Sequence, residues 1–128
     1  MIVSIGTDIV SVARVERVMS RCGERFLQRV FTSAEREYCL GKRASSACLA
    51  ARFAAKEAVL KALGIGLAGC QWRDIEITTG LRGKPGVVLS GGAAGLAAAR
   101  GISEVLISLS HESDYALAFA VAVKGDTE

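Results

Sequence analysis

The chain predicts a single compact α+β domain spanning residues 1–128, with early helices packed on a mainly antiparallel sheet. Three observations carry that expectation. The sequence opens on a β-branched apolar run, IVSIGTDIVSV; helical periodicity then dominates from about Ser11 to Leu63; the remainder is a set of short alternating segments separated by glycine-rich turns. A chain of 128 residues holds one ordinary domain, in which roughly two-thirds of the unfolded surface can be buried.

Taken in order, the opening strand is expected to end near Gly6-Thr7-Asp8. The helix that follows carries Val12, Val15 and Met19 on one face and Arg14, Arg17 and Arg21 on another. Phe26 to Phe31 continue an amphipathic segment. Thr32-Ser33-Ala34-Glu35 opens a further helix, with a hydroxyl cap and an acid in the first turn. After the polar KRASS connection, a long helix runs from about Ala47 to Leu63, with Leu49, Phe53, Val59, Leu60 and Leu63 as its apolar stripe. GIGLAG ends it. DIEITT and VVLSG read as strands joined by the turn LRGKPG, GGAAGLAAARG as a short helix, and EVLISLSH and YALAFAVAV as the last strands. The terminal KGDTE is expected to fray.

Composition narrows the function classes. The hydrophobic fraction is 51% but aromatics supply only 5%, so the core is thin and suits a chain that recruits a second subunit. A formal charge of +3 falls short of a nucleic-acid-binding signature. Cys22, Cys39, Cys48 and Cys70 show no CxxC spacing, there is one histidine, and Met1 leads into a strand rather than a secretory leader. Free thiols in a cytoplasmic protein, without zinc and without a membrane span, are the expectation.

GIGLAG matches GxGxxG literally, but a helix precedes it and a strand follows. That reverses the context of a dinucleotide fingerprint, so the glycines read as a helix C-cap and turn. On the long helix, Glu57 and Lys61 stand at i and i+4, Lys56 falls inside the apolar stripe without an evident partner, and Ala50, Ala54 and Ala58 would let another surface approach closely. Asp8 is either the cap of the first helix or a metal ligand at a strand end. His111 ends a strand beside serines and acids, where phosphate binding or proton transfer is open to it.

The segments IGTDI at 5–9, RFAAKEAVLKALGIG at 52–66, GKP at 83–85 and SLSHESDYALA at 108–118 together resemble the holo-(acyl-carrier-protein) synthase family of 4′-phosphopantetheinyl transferases. They lie in the family's order and span nearly the whole chain. The resemblance implies that fold and a Mg²⁺-dependent transfer of phosphopantetheine from coenzyme A to a serine of apo acyl carrier protein, in fatty acid biosynthesis. By position, Asp8 and Glu57 resemble the carboxylates that hold Mg²⁺, and Lys61 the lysine on the diphosphate. Arg52 and His111 resemble residues at the coenzyme A phosphate end, His111 coming from a neighbouring subunit. Gly64, Gly66, Lys84 and Pro85 match loops around the nucleotide. Glu57 is the expected acceptor of the serine proton. Arg14, Arg17 and Arg21 are expected to dock the acidic carrier protein, and a homotrimer with interfacial sites is implied. Val10 departs from larger relatives, which place a second acid there. The competing expectations are a non-catalytic module that binds coenzyme A or a carrier, and a small structural or regulatory domain.

Overall fold

The structure, a computed structural model, describes residues 1–125; residues 126–128, part of the tail expected to fray, lie outside the described residues. Lys124 of that tail belongs instead to the last strand, where its N–H reaches the Met1 carbonyl. The element order is β1 (Ile2–Ser11), α1 (Val12–Cys22), α2 (Glu24–Val30), α3 (Ser33–Leu40), α4 (Ser45–Leu63), β2 (Ile75–Thr79), β3 (Pro85–Leu89), α5 (Gly91–Ala99), β4 (Ile102–His111) and β5 (Tyr115–Lys124). Short 3₁₀ turns at Leu67–Gly69, Trp72–Asp74 and Leu81–Gly83 fill the connections. Two antiparallel sheets result, a three-stranded sheet in the order β1-β5-β4 and the β2–β3 hairpin.

β1 passes through Asp8 and ends at Ser11, beyond the Gly6-Thr7-Asp8 stop expected from the glycine. The reason is pairing: Ile5 through Ser11 each oppose a residue of β5. Helix α1 is capped by Ser11, whose hydroxyl accepts from the Arg14 N–H. Asp8 is therefore not a cap, and its carboxylate is free for other work. Thr32 caps α3 as expected, and Glu35 completes a reciprocal capping box by accepting from the Thr32 N–H.

Period-2 alternation turns Gly6, Asp8 and Val10 of β1 and Ala116, Ala118, Ala120 and Ala122 of β5 toward α4. Against this face lies α4, with 14 of its 19 residues buried. The amphipathic stripe expected for it is too narrow, because α4 is enclosed on nearly every side, as an almost uniformly apolar helix should be. Its alanines do permit close approach, but the approaching surface is the chain's own β1. A Cβ on Gly6 would strike the Ala58 carbonyl and stand 2.8 Å from the Ala62 N–H nitrogen. The alanine-rich faces of α4 and β5 are thus interior. Among the exposed apolar groups, Ile5, Ile9, Leu106, Tyr115 and Phe119 gather on the opposite face of the sheet.

The expectation of four free thiols holds for Cys22 and Cys70 and fails for the other two: Cys39 and Cys48 form a disulfide between the last turn of α3 and the first turn of α4. The Gly41–Ala44 connection folds the two helices together and brings their Cα atoms to 5.4 Å, a proximity that spacing in sequence does not reveal. GIGLAG is a helix stop, with Gly64 in the left-handed conformation at φ 72°. Gly6→Ala should lower unfolding free energy by about 3 kcal/mol, the upper end for overpacking, as read by chemical denaturation.

Candidate active site

Two clusters of functional side chains form around α4. The first lies where α4 crosses β1. Lys61 donates to the Thr7 carbonyl at 2.9 Å and pairs with the Asp8 carboxylate at 3.3 Å. Glu57, one turn earlier on the same flank, is half-buried. Burial pushes its carboxyl above the usual range, the neighbouring Asp8 charge adds to that, and Lys61 partly opposes it. Two acids held this close with one ammonium between them leave a site that a further positive charge would relieve.

Asp8 and Glu57 form one wall of a cleft of about 380 Å³. Val15, Val18, Phe26 and Phe53 supply an apolar wall, and Arg14 stands at its edge. The aromatic part was not singled out in the sequence, although Phe26 and Phe53 pack on each other with ring centroids 6.4 Å apart. Arg14, Arg17 and Arg21 are exposed along α1; Arg14 borders this cleft, while Arg17 and Arg21 lie with Glu16 along a separate surface groove.

The second cluster lies on the other side of α4. Arg52 is buried to 8% exposure, donates to the Thr79 hydroxyl at 2.9 Å, and lies over the Tyr38 ring at 4.6 Å. Lys42 approaches the same ring at 4.5 Å. Burial lowers the Arg52 guanidinium, while Tyr38 and then Glu35 oppose the shift. For Tyr38, burial raises the hydroxyl, but Lys42, a hydrogen bond with Thr79 and Arg52 together outweigh it and the net shift is downward. A pocket of about 300 Å³ joins Arg52 and Tyr38 to Gly83, Pro85 and His111. A pocket with this much cationic and hydrogen-bonding capacity suits an anionic group carried on a flat ring.

The structure thus brings Asp8, Glu57 and Lys61 together, and brings Arg52, Pro85 and His111 together, but keeps the two sets apart. From Arg52 to Glu57 is five residues, roughly 140° around the helix, and from Arg52 to Lys61 roughly 180°. Arg52 and His111 line one pocket of one protomer. Lys84 is exposed next to Pro85, while Gly64 and Gly66 lie past the C-terminus of α4, nearer Lys61. The Arg100 guanidinium donates to the Leu63 carbonyl and packs against Gly64, a contact the sequence did not announce.

Lys56, left without a partner in the sequence, is wholly buried and paired with Glu35 at 2.9 Å. Burial lowers its ammonium and Glu35 is the main opposing influence. Tyr38, Lys42, Thr79 and Glu35 were all missed. Only the i, i+3 relation of Glu35 and Tyr38, matched to the four-residue step from Arg52 to Lys56, could have pointed to them.

Residues 4–120 match the family model of the 4′-phosphopantetheinyl transferase superfamily. The holo-[acyl-carrier-protein] synthase of Desulforudis audaxviator is 58% identical over 96% of this chain and 94% of that protein. Among solved structures, the holo-[acyl-carrier-protein] synthase from Neisseria meningitidis superposes with a TM-score of 0.89 at 39% identity, covering 97% of this chain and all of that one. The Helicobacter pylori holo-[acyl-carrier-protein] synthase, solved in complex with coenzyme A, gives a TM-score of 0.82 at 33% identity over 93% of this chain and 99% of its own. Matched along nearly its whole length in both sequence and fold, the chain belongs to the holo-(acyl-carrier-protein) synthase family of 4′-phosphopantetheinyl transferases.

Proposed function

We propose that the chain transfers the 4′-phosphopantetheine group of coenzyme A to a serine of apo acyl carrier protein, releasing adenosine 3′,5′-bisphosphate. The observation that carries this reading is the meeting of Asp8, Glu57 and Lys61 at one cleft in a chain whose full-length relatives are holo-[acyl-carrier-protein] synthases. Asp8 and Glu57 are hard oxygen donors, and among the described residues no group of three or more histidine, cysteine or acidic side chains gathers. A pair of carboxylates that leaves the remaining positions to phosphate oxygens and water fits Mg²⁺. When bound, that ion would draw off negative charge from the diphosphate.

Each protein group then has a task. Lys61, fixed by Thr7 and Asp8, adds a positive charge for the diphosphate as its bridging P–O bond breaks. The carrier serine oxygen bonds to the phosphorus that bears pantetheine, and the bisphosphate leaves. Glu57 accepts the serine proton. Arg52, Tyr38, Lys42 and His111 receive the nucleotide end, with Lys84 and Pro85 at the rim of their pocket.

A cyclic homotrimer reconciles the two clusters. Asp8 lies on edge strand β1 and His111 on edge strand β4, with β5 between them. A head-to-tail ring sets one edge of each copy against the other edge of the next, so that the carboxylate cleft of one protomer meets the Arg52 pocket of its neighbour. The exposed apolar face of Ile5, Ile9, Leu106 and Phe119 gives such a ring surface to bury. We place the protein in the cytoplasm, in fatty acid biosynthesis. Among the described residues no helix is long and apolar enough to cross a membrane. Disulfides are uncommon in that compartment, but Cys39 is fully buried and Cys48 nearly so, which limits access of reductant.

Intact-mass spectrometry of an apo acyl carrier protein incubated with the enzyme and coenzyme A should show one phosphopantetheine gained with Mg²⁺ and none with excess chelator. Coenzyme A binding without any gain would mark a binding module instead. Glu57→Gln should slow turnover by roughly 10²–10⁴-fold, and near-normal rates at saturating Mg²⁺ would remove Glu57 as the base. Reversing the charge of Arg14, Arg17 and Arg21 together should raise the KM for the carrier roughly tenfold and flatten its salt dependence. Phe119→Asp should shift the light-scattering mass from trimer to monomer with loss of activity; an active monomer would contradict the interfacial site.

A further inference from the structure

Two polar junctions join all three of α3, α4 and β2, one in the core and one at the surface, and the Thr32 hydroxyl adds a bond from the α3 cap to Glu76 of β2 at 2.6 Å. The buried junction centres on Glu35 and Lys56, 2% and 0% exposed. One Glu35 carboxylate oxygen accepts from Lys56 Nζ at 2.9 Å and from the Thr32 N–H at 2.8 Å; the other accepts from the Ile77 N–H at 2.8 Å. Lys56 also donates to the Trp72 carbonyl at 3.1 Å and to the Ile75 carbonyl. Every donor and acceptor of the pair is thus used, and two of its partners are backbone groups of β2.

The surface junction lies one step along each element. Tyr38 follows Glu35 by three residues on α3, Arg52 precedes Lys56 by four on α4, and Thr79 follows Ile77 by two on β2. Those are the intervals that keep side chains on one face of a helix or of a strand. Arg52 meets Tyr38 and Thr79 there, at the mouth of the pocket that holds Pro85 and His111. β2 belongs to a two-stranded hairpin that shares no backbone pairing with the larger sheet. Its placement beside α4 therefore rests on side chains, and the only charged pair among the described residues that fastens it is Glu35–Lys56.

We infer that the buried Glu35–Lys56 pair is a positioning pair for the nucleotide-end pocket, setting the α3–α4–β2 spacing that holds Arg52 between Tyr38 and Thr79. Neither residue touches substrate; both act through Arg52. The inference rests on the reading of that pocket as the nucleotide site. An apolar substitution at this junction would fill the volume, but it would release the Ile75 and Trp72 carbonyls and let the hairpin shift against α4. The guanidinium would then no longer be held at the angle that an anion requires of a planar fork.

The test is equilibrium binding of adenosine 3′,5′-bisphosphate by calorimetry, on wild type, Lys56→Met, Arg52→Ala and the double variant. Lys56→Met should weaken binding about tenfold alone and have no further effect once Arg52 is removed, the non-additivity expected of coupled residues. Glu35→Gln keeps the shape and, with its one acceptor oxygen toward Thr32 and Lys56, the cap, while its NH2 faces the Ile77 N–H and loses that bond to β2. It should weaken binding by a smaller factor and remain folded, which keeps the inference testable if Lys56→Met does not fold. Val59→Ala, a core truncation on the same helix, should lower the melting temperature and leave the affinity unchanged. Equal affinities for wild type and Glu35→Gln or Lys56→Met, or a Lys56→Met effect that persists without Arg52, would overturn the inference. A wild type that does not bind the bisphosphate would overturn both the inference and the nucleotide-site reading. Transfer by wild type with unaltered bisphosphate affinity in the variants would overturn the inference alone.

Discussion

Everything in this molecule hangs on the closeness of β1 to α4. Gly6 has no Cβ, and the helix presents Ala58 and Ala62 where a larger side chain would hold the strand away. The contact lets a helix axis approach a sheet nearer than leucine or valine would allow, and Asp8, two residues further along the same face, comes within reach of Lys61. The same closeness encloses α4, so that Glu57 and Lys61 project from a scaffold with little freedom to tilt or roll. Precision in the carboxylate site is thus a consequence of small residues in the core, and the thinness of that core is what makes the chemistry possible.

A second constraint is the burial of charge inside α4. Lys56 lies in a helix otherwise made of alanine and aliphatic residues, and a lone ammonium there would be strongly unfavourable. Glu35 and the main-chain carbonyls of Trp72 and Ile75 satisfy it. Replacing such a pair by apolar residues is often neutral for stability, so stability alone does not account for its presence. What the pair adds is direction: all three ammonium donors and both carboxylate oxygens are engaged in this arrangement of α3, α4 and β2.

Much of this was legible beforehand, and the failures have identifiable causes. The order of elements, the helix stop at Gly64, the Thr32 cap and the grouping of Asp8, Glu57 and Lys61 follow from local spacing together with family motifs. The length of β1 does not, because its second half is held by β5, more than a hundred residues away. The partner of Lys56 and the Cys39–Cys48 bond needed the α3–α4 turn, whose geometry the residues Gly41–Ala44 do not announce. That Arg52 and Glu57 face opposite ways, by contrast, was available from the helical repeat alone. Grouping them in one site by motif concealed it.

The arginine-bearing face of α1 has a further consequence. Arg14, Arg17 and Arg21 are solvent-exposed, and the helix is anchored by Val12 and Val15 on its other side and by the Ser11 cap. Arg17 and Arg21 on the open face can change without disturbing the core or the Asp8–Glu57–Lys61 cluster. Most of the face that would recognise a carrier is thereby separate from the cleft, with Arg14 as the point where the two meet. Such a division lets recognition drift in step with a changing carrier surface while the chemistry stays constrained, so divergence among homologues should accumulate on this face well before it reaches α4.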